Sequence, residues 1–261
     1  MRLAEPAPSD ASPLAGVPLA FAPGHLCDAR IFAPQCESLG ADQVFVVETR
    51  LDDDLGAMAE RFLRDAPPRF ALIGFSMGGM LAAEAIAQAP ERILGAALIG
   101  ADAGAARPKE IAWRAERVAE VEAAGARGLA LFAEAFMARF FAHAPEAAAV
   151  LAPEMRAMAA PFDAEVFRRQ AAALSSRRDN HAALTRYAAR RDAGPLLFLC
   201  GAEDRLCPPL LSRRMQEAAP KGRLVLIEGC GHMATLEHPE RVSRALLAWA
   251  RACAEAFRRG S

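Results

Sequence analysis

One stretch of the sequence, from Phe70 to Met80, constrains the fold more than any other. Its apolar start ends in the pattern Gly-x-Ser-x-Gly, formed by Gly74, Ser76 and Gly78, and passes directly into an alanine-rich segment typical of a helix. In so abrupt a turn, side chains two residues before and after the serine would collide with the backbone, so glycine is needed there. The motif predicts a strained turn that points the Ser76 hydroxyl outward. An ordinary strand-to-helix connection is the alternative.

Strand-like and helix-like segments alternate on both sides of this stretch. This alternation predicts a parallel sheet with helices on both of its faces. The second strand segment is almost entirely apolar and β-branched, which predicts a strand buried on both faces. The candidate strands are residues 17–22, 43–47, 70–74, 94–100, 195–200 and 223–227.

The alternation stops in the middle of the chain. Residues 103–191 contain helical segments punctuated by glycine and proline, and none of these segments has the pattern of a strand. We therefore predict that residues 16–102 and 192–258 form one α/β core and that residues 103–191 form an all-helical lid inserted into it. Residues 1–15 are rich in proline, alanine and serine and are predicted to be a loose arm.

The charge and cysteine content exclude several classes of function. With 31 Lys and Arg against 32 Asp and Glu, the net charge is -1, so we expect neither nucleic acid nor a membrane surface as a partner. The amino-terminal residues lack the apolar core of a secretory signal, and we expect a cytoplasmic protein. Its six cysteines lack the spacing of a metal site, so reduced thiols and no bound metal are expected.

Three residue types needed for nucleophilic catalysis follow predicted strands. Ser76 follows the third strand, and Asp204 and His232 lie in the loops after the last two. Since the carboxyl ends of parallel strands meet at one edge, these side chains are expected to converge. Imidazole can take the proton of a serine hydroxyl near neutral pH, and a carboxylate can orient the imidazole. Asp102, after the fourth strand, is the alternative acid, and Glu203 is a weaker candidate.

With these motifs, the chain resembles the α/β-hydrolase fold family over roughly residues 17–255. The resemblance implies a mostly parallel, doubly wound sheet with an inserted helical lid. Relatives begin with an antiparallel hairpin, for which this chain has only its proline-rich start, so a trimmed sheet of about six strands is expected. The resemblance also implies an oxyanion hole of two backbone N–H groups. Met77, after the nucleophile, supplies one; His25 supplies the other, with Leu26 as the alternative, and the His25 imidazole is not expected to be the base.

The expected activity is that of a small capped serine esterase. It would hydrolyse a small carboxylic ester or thioester through an acyl-Ser76 intermediate and needs no metal or organic cofactor. Leu26, Trp113, Phe136 and Phe140 are candidates for an apolar pocket wall, although aromatic residues at helical spacing are more typical of a lid's own core. The alternatives are a cofactor-free lyase, a C–C hydrolase or a perhydrolase on the same fold, and a receptor that keeps the triad but binds a small ligand.

Overall fold

The computed structural model describes residues 17–40, 44–140 and 144–259, so the predicted arm at residues 1–15 lies outside it. The described residues form a single six-stranded sheet in the order β2-β1-β3-β4-β5-β6, and every neighbouring pair is parallel. The predicted parallel sheet of about six strands is confirmed. Its strands are β1 (Leu19–Ala22), β2 (Val44–Val46), β3 (Phe70–Phe75), β4 (Ile93–Ile99), β5 (Leu196–Gly201) and β6 (Arg223–Ile227).

Helices cover both faces of the sheet, as the alternating pattern predicts. In chain order they are α1 (Ala33–Leu39), α2 (Leu55–Asp65), α3 (Met77–Gln88), α4 (Pro108–Ala123), α5 (Gly128–Phe140), α6 (Pro145–Ala159), α7 (Ala164–Ser175), α8 (His181–Ala188), α9 (Pro209–Ala218), α10 (Ala234–Glu237) and α11 (Pro239–Arg259). Helices α1 and α11 pack on one face, and α2, α3, α8 and α9 pack on the other. No helix in the described part of the chain is long and apolar enough to cross a bilayer.

The strand β3 lies at the centre of this arrangement, and all six of its residues are buried. Phe70 and Leu72 belong to the apolar layer on one face, and Ala71, Ile73 and Phe75 belong to the layer on the other. This alternation is that of a strand covered on both sides, and it requires the nearly continuous apolar run in the sequence. The strand ends at Phe75, so its burial on both faces fixes the position of Ser76, the next residue.

The strand β2 differs from the prediction. It is an edge strand that pairs with β1 alone in the described sheet, and Val44 and Val46 are 47% and 42% exposed. Only Phe45, between them, packs inward, with its ring 5.9 Å from that of Phe62. The expectation of a strand buried on both faces was therefore wrong. Valine has a high β-propensity and is common in strands, so its presence in β2 does not indicate that the strand is buried.

Between β4 and β5, the described residues form five α-helices, α4 to α8. Parts of α4, α5 and α7 form a small apolar cluster of their own, which also includes Leu26 from the loop after β1. Helix α8 instead packs against α3 and α9, and the Tyr187 hydroxyl donates to the carbonyl of Ile93 at 3.0 Å. The lid boundaries at residues 103 and 191 stay a prediction.

Candidate active site

Ser76 lies in the sharp turn between β3 and α3. Its backbone has φ 53° and ψ -115°, a combination that residues other than glycine rarely adopt and that costs about 1–3 kcal/mol. A Cβ atom at Gly78 would lie 1.8 Å from the carbonyl oxygen of Ala22, and one at Gly74 would lie 2.2 Å from that of Gly78. Both glycines of the motif are therefore required by close backbone contacts, as the sequence predicts.

A continuous chain of hydrogen bonds joins Ser76, His232 and Asp204. The Ser76 Oγ lies 3.1 Å from Nε2 of His232, and the other ring nitrogen, Nδ1, lies 2.8 Å from Oδ2 of Asp204. The second carboxylate oxygen accepts the backbone N–H groups of Leu206 (2.8 Å) and Cys207 (2.9 Å). Because an ionised carboxylate only accepts, Nδ1 carries the proton and Nε2 presents a lone pair to the serine hydroxyl.

Two further carboxylates hold the loop that carries His232. Glu203 accepts the backbone N–H groups of Gly229 (3.2 Å) and Cys230 (2.8 Å), so this weaker candidate for the acid binds backbone and not the imidazole. Glu237 accepts the N–H groups of the two residues that flank His232, at 2.9 and 2.8 Å. The imidazole is thereby fixed by its backbone as well as by Asp204. No sequence motif singled out Glu237.

Asp102, the alternative acid, lies elsewhere in the site. Its Oδ1 accepts the N–H of Gly104 at 2.8 Å, and its Oδ2 lies 3.9 Å from a guanidinium nitrogen of Arg177. No hydrogen bond joins it to His232 within the described residues. Of the two acids that the sequence leaves open, the structure therefore brings Asp204 to the imidazole.

Two backbone amides near Ser76 are candidate oxyanion donors. Met77 is the first residue of α3, and N–H groups at a helix start have no partner within the helix. The loop after β1 approaches from the other side, since a Cβ at Gly24 would lie 3.3 Å from that of Ser76. The amide of His25 follows directly and has no hydrogen-bond partner in the part of the chain that the structure describes. Both amides are therefore candidates to stabilise a negative charge beside Ser76.

The amide of Leu26, the alternative donor, already has a partner. It donates to Oε1 of Gln170 on α7 at 3.0 Å, and Leu26 itself has a positive φ of 54°. The Gln170 side chain is buried and donates in turn to the Thr49 carbonyl and hydroxyl, both at 3.2 Å. The geometry therefore favours His25 over Leu26. Gln170 holds the loop in this conformation, and no sequence signal identified it.

The imidazole of His25 is packed among aromatic rings. It stacks on Phe167 at 5.2 Å between ring centroids and lies 6.2 Å from Phe132. Burial lowers the pKa of His25 to about 3, and the nearby guanidinium of Arg114 contributes to the same shift. The ring is therefore neutral near neutral pH and is unsuited to be the general base.

This buried histidine leads to a prediction for acid stability. At pH values between about 6.5 and about 3, His25 binds a proton in the unfolded chain but not in the folded protein. The free energy of unfolding therefore falls as the pH falls through that range. Above that range the contribution is constant. We expect His25→Gln to show a shallower loss of stability on acidification, measured by urea unfolding at a series of pH values. Parallel curves for the two proteins would contradict the prediction.

Ser76 and His232 open into a cavity of about 410 Å³. All four predicted pocket residues line it, namely Leu26, Trp113, Phe136 and Phe140. The ring of Phe140 stacks on the imidazole of His232 at 5.3 Å, and Phe136 contacts Phe140 edge-on at 4.8 Å. The aromatic residues of the insertion therefore do more than pack among themselves, since one of them covers the imidazole.

Comparison with known proteins agrees with the fold. A family model described as alpha/beta hydrolase fold matches residues 52–239, well over half of the chain. The chain belongs to the α/β-hydrolase family.

Among solved structures, this α/β-hydrolase is similar to a thermophilic esterase from Thermogutta terrifontis, with a TM-score of 0.75 and 23% identity over 91% of this chain and 90% of that one. It is also similar to the enol-lactonase from Burkholderia xenovorans, with a TM-score of 0.76 and 20% identity over 89% and 91% of the two chains. At these identities the likeness shows a shared fold alone.

A curated relative matches only locally. The protein BpoC of Mycobacterium tuberculosis, which its name classes with the non-heme bromoperoxidases, is 40% identical over 58 residues. The matched segment is 22% of this α/β-hydrolase and 22% of BpoC. The two chains therefore share a short segment, and the activity of BpoC does not follow for this one.

The cavity of this α/β-hydrolase also has a basic wall that the sequence analysis did not predict. Arg114 on α4 and Arg177 after α7 both line it. In the alanine- and arginine-rich insertion these residues have no pattern that separates them from surface arginines. Arg168 and Arg169, two other arginines of the insertion, pair with Glu165 on the surface.

None of the six cysteines of this α/β-hydrolase forms a disulfide, and five of them are buried. Burial raises the pKa of Cys27 and of Cys200 to about 12. Cys207 also lies in the cavity lining, and burial raises the pKa of its thiol well above the usual range. Because the thiolate is the nucleophilic form, these neutral thiols leave Ser76 as the candidate nucleophile.

Proposed function

We propose that this α/β-hydrolase is a serine hydrolase that cleaves a small carboxylic ester or thioester through an acyl-Ser76 intermediate. The observation that carries the proposal is the unbroken series of contacts from Asp204 through His232 to Ser76, on a strained turn that opens into the cavity. A serine hydroxyl at its ordinary pKa is a weak nucleophile, and this arrangement supplies the base that activates it.

In the first half of the reaction, the Ser76 Oγ attacks the carbonyl carbon while Nε2 of His232 accepts its proton. The imidazolium that forms is stabilised by the buried carboxylate of Asp204, whose side chain is 0% exposed. The N–H groups of Met77 and His25 stabilise the negative charge that develops on the carbonyl oxygen. His232 then returns the proton to the departing alcohol or thiol.

In the second half, a water molecule takes the place of the leaving group. His232 accepts a proton from this water, whose oxygen attacks the acyl-Ser76 carbonyl, and the same two amides stabilise the second oxyanion. Collapse releases the carboxylic acid and returns the proton to Ser76. Every step uses groups of the chain itself, and the proposal needs no metal or organic cofactor.

A second candidate is perhydrolysis on the same acyl-enzyme. Hydrogen peroxide would replace water, attack acyl-Ser76 and give a peroxycarboxylic acid, with the proton again passing through His232 to the serine. This candidate is favoured by the local 40% identity to BpoC, because the name bromoperoxidase implies a reaction that uses a peroxide. Both reactions share the acyl-enzyme and differ only in its acceptor.

A substrate panel tests the proposal. Short-chain p-nitrophenyl esters, thioesters and lactones are incubated with the purified protein, with and without hydrogen peroxide, and the acid and peracid products are quantified. We expect acid release that does not depend on peroxide. Peracid formation as the dominant reaction would favour perhydrolysis, and turnover of none of the esters or thioesters would contradict the proposed function.

A further inference from the structure

The basic wall of the cavity contains more positive charge than its neighbours neutralise. Three guanidinium groups of the lining, those of Arg107, Arg114 and Arg177, form one cluster with two carboxylates, those of Asp102 and Glu110. The lining also includes the cationic side chains of Lys109, Arg117, Arg156 and Arg205. Each ionised carboxylate can neutralise one guanidinium. One positive charge therefore stays uncompensated within this cluster.

Arg177 forms the base of the cluster. Its side chain is 3% exposed, and Nη2 lies 3.0 Å from Oε2 of Glu110. Arg107 binds the other oxygen of Glu110 through Nε at 2.9 Å. Glu110 thus serves two arginines at once, and the Nε of Arg177 is buried with no hydrogen-bond partner among the described residues.

Arg114 is the member without a partner. Its Nη1 is buried, and no hydrogen bond or ion pair involves its guanidinium anywhere in the described ranges. Burial lowers the pKa of Arg114 to about 10, and repulsion by Arg177 acts in the same direction. Burying a charged group without a partner is unfavourable, and an anion bound at this position would relieve that cost.

We propose that Arg114, supported by Arg177, binds a carboxylate of the substrate, so that the preferred substrates are esters or thioesters that carry a carboxylate group. This inference rests on the proposed function, since it assigns the substrate class to the same cavity. A planar guanidinium fits a carboxylate with two parallel hydrogen bonds, and the uncompensated positive charge of the cluster suits an anion. Aromatic residues such as Trp113, Phe132 and Phe136 also line the cavity and suit the apolar part of such a molecule.

The test compares esters that differ in this charge. The value of kcat/KM is measured for monomethyl glutarate and monomethyl adipate, which carry a carboxylate on the acyl side, and for their dimethyl esters, which do not. Acetoxyacetate and its methyl ester form a second pair, with the carboxylate on the alcohol side. If just one of the two pairs shows a preference, that pair identifies the side of the scissile bond on which the carboxylate is bound.

We expect the native protein to prefer the charged member of at least one pair. Arg114→Gln should lower the ratio of charged to neutral kcat/KM by roughly 10- to 100-fold, the effect of losing a charge-assisted hydrogen bond. Arg114→Lys, which keeps the positive charge, should retain part of the preference. Arg168→Gln removes an exposed arginine of α7 and should leave the ratio unchanged.

Binding is measured separately, because it needs no turnover. Calorimetric titration with hexanoate, a monocarboxylate with an apolar chain, should show binding to the native protein and weaker binding to Arg114→Gln. If esters are cleaved without a charge preference, or the ratio is the same in Arg114→Gln, the carboxylate site is wrong and the hydrolase proposal stands. If no ester is cleaved but hexanoate binding depends on Arg114, the hydrolase proposal fails and the carboxylate site stands.

Discussion

Replacing Ser76 by alanine is expected to reduce kcat for ester hydrolysis by about 10⁴- to 10⁶-fold, with the fold intact. The three triad residues act as a unit, so loss of the nucleophile removes nearly all of their contribution. Alanine has the same Cβ as serine, so the φ of 53° strains the backbone equally in both proteins. The turn and the close contacts of its glycines are therefore kept. Steady-state kinetics on a short p-nitrophenyl ester give the ratio.

The alanine variant also has a structural control. Its thermal unfolding midpoint should stay close to that of the native protein, because within the described ranges the Ser76 hydroxyl is hydrogen-bonded to the His232 side chain alone. A folded Ser76→Ala protein that keeps more than about a tenth of the native kcat would contradict the role assigned to this serine.

Replacing Asp204 by asparagine is expected to lower kcat by about 10³- to 10⁴-fold. The asparagine oxygen can still accept the N–H groups of Leu206 and Cys207, which directs its amide nitrogen toward Nδ1 of His232. An N–H donor at that position selects the tautomer with the proton on Nε2. That nitrogen then cannot accept the proton of Ser76, and the charge that stabilises the imidazolium is lost as well.

A matched variant separates this effect from a general loss of negative charge in the site. Asp102→Asn removes the carboxylate that the sequence left as the alternative acid, which binds the N–H of Gly104 and not the imidazole. We expect it to lose far less activity than Asp204→Asn, with kcat measured on a neutral ester for both. A larger loss in Asp102→Asn would reverse the assignment of the acid.

The central turn is the part of the fold that the sequence determines most directly. The glycines at Gly74 and Gly78 leave no space for a side chain, so the spacing of the motif follows from steric contact alone. The order of Ser76, Asp204 and His232 along alternating elements also predicts their convergence, since parallel strands end at one edge. The structure places these three side chains in mutual contact.

Features that depend on contacts between residues far apart in the chain could not be predicted from the sequence in this way. The exposure of Val44 and Val46 follows from the position of β2 at the sheet edge, which its own residues do not encode. Gln170 is one polar residue of α7, and its importance comes from Leu26, which is 144 positions away in the chain. Arg114 differs from a surface arginine only through the neighbours that bury it.

The most direct test of the account is to identify the residue that a fluorophosphonate probe modifies. The probe forms a covalent bond with an activated serine, and peptide mass spectrometry of the labelled protein locates it. If Ser76 is the nucleophile activated by His232 and Asp204, labelling is stoichiometric at Ser76, absent in Ser76→Ala and slow in Asp204→Asn. Labelling at another residue, or rapid labelling of Ser76→Ala, would contradict it.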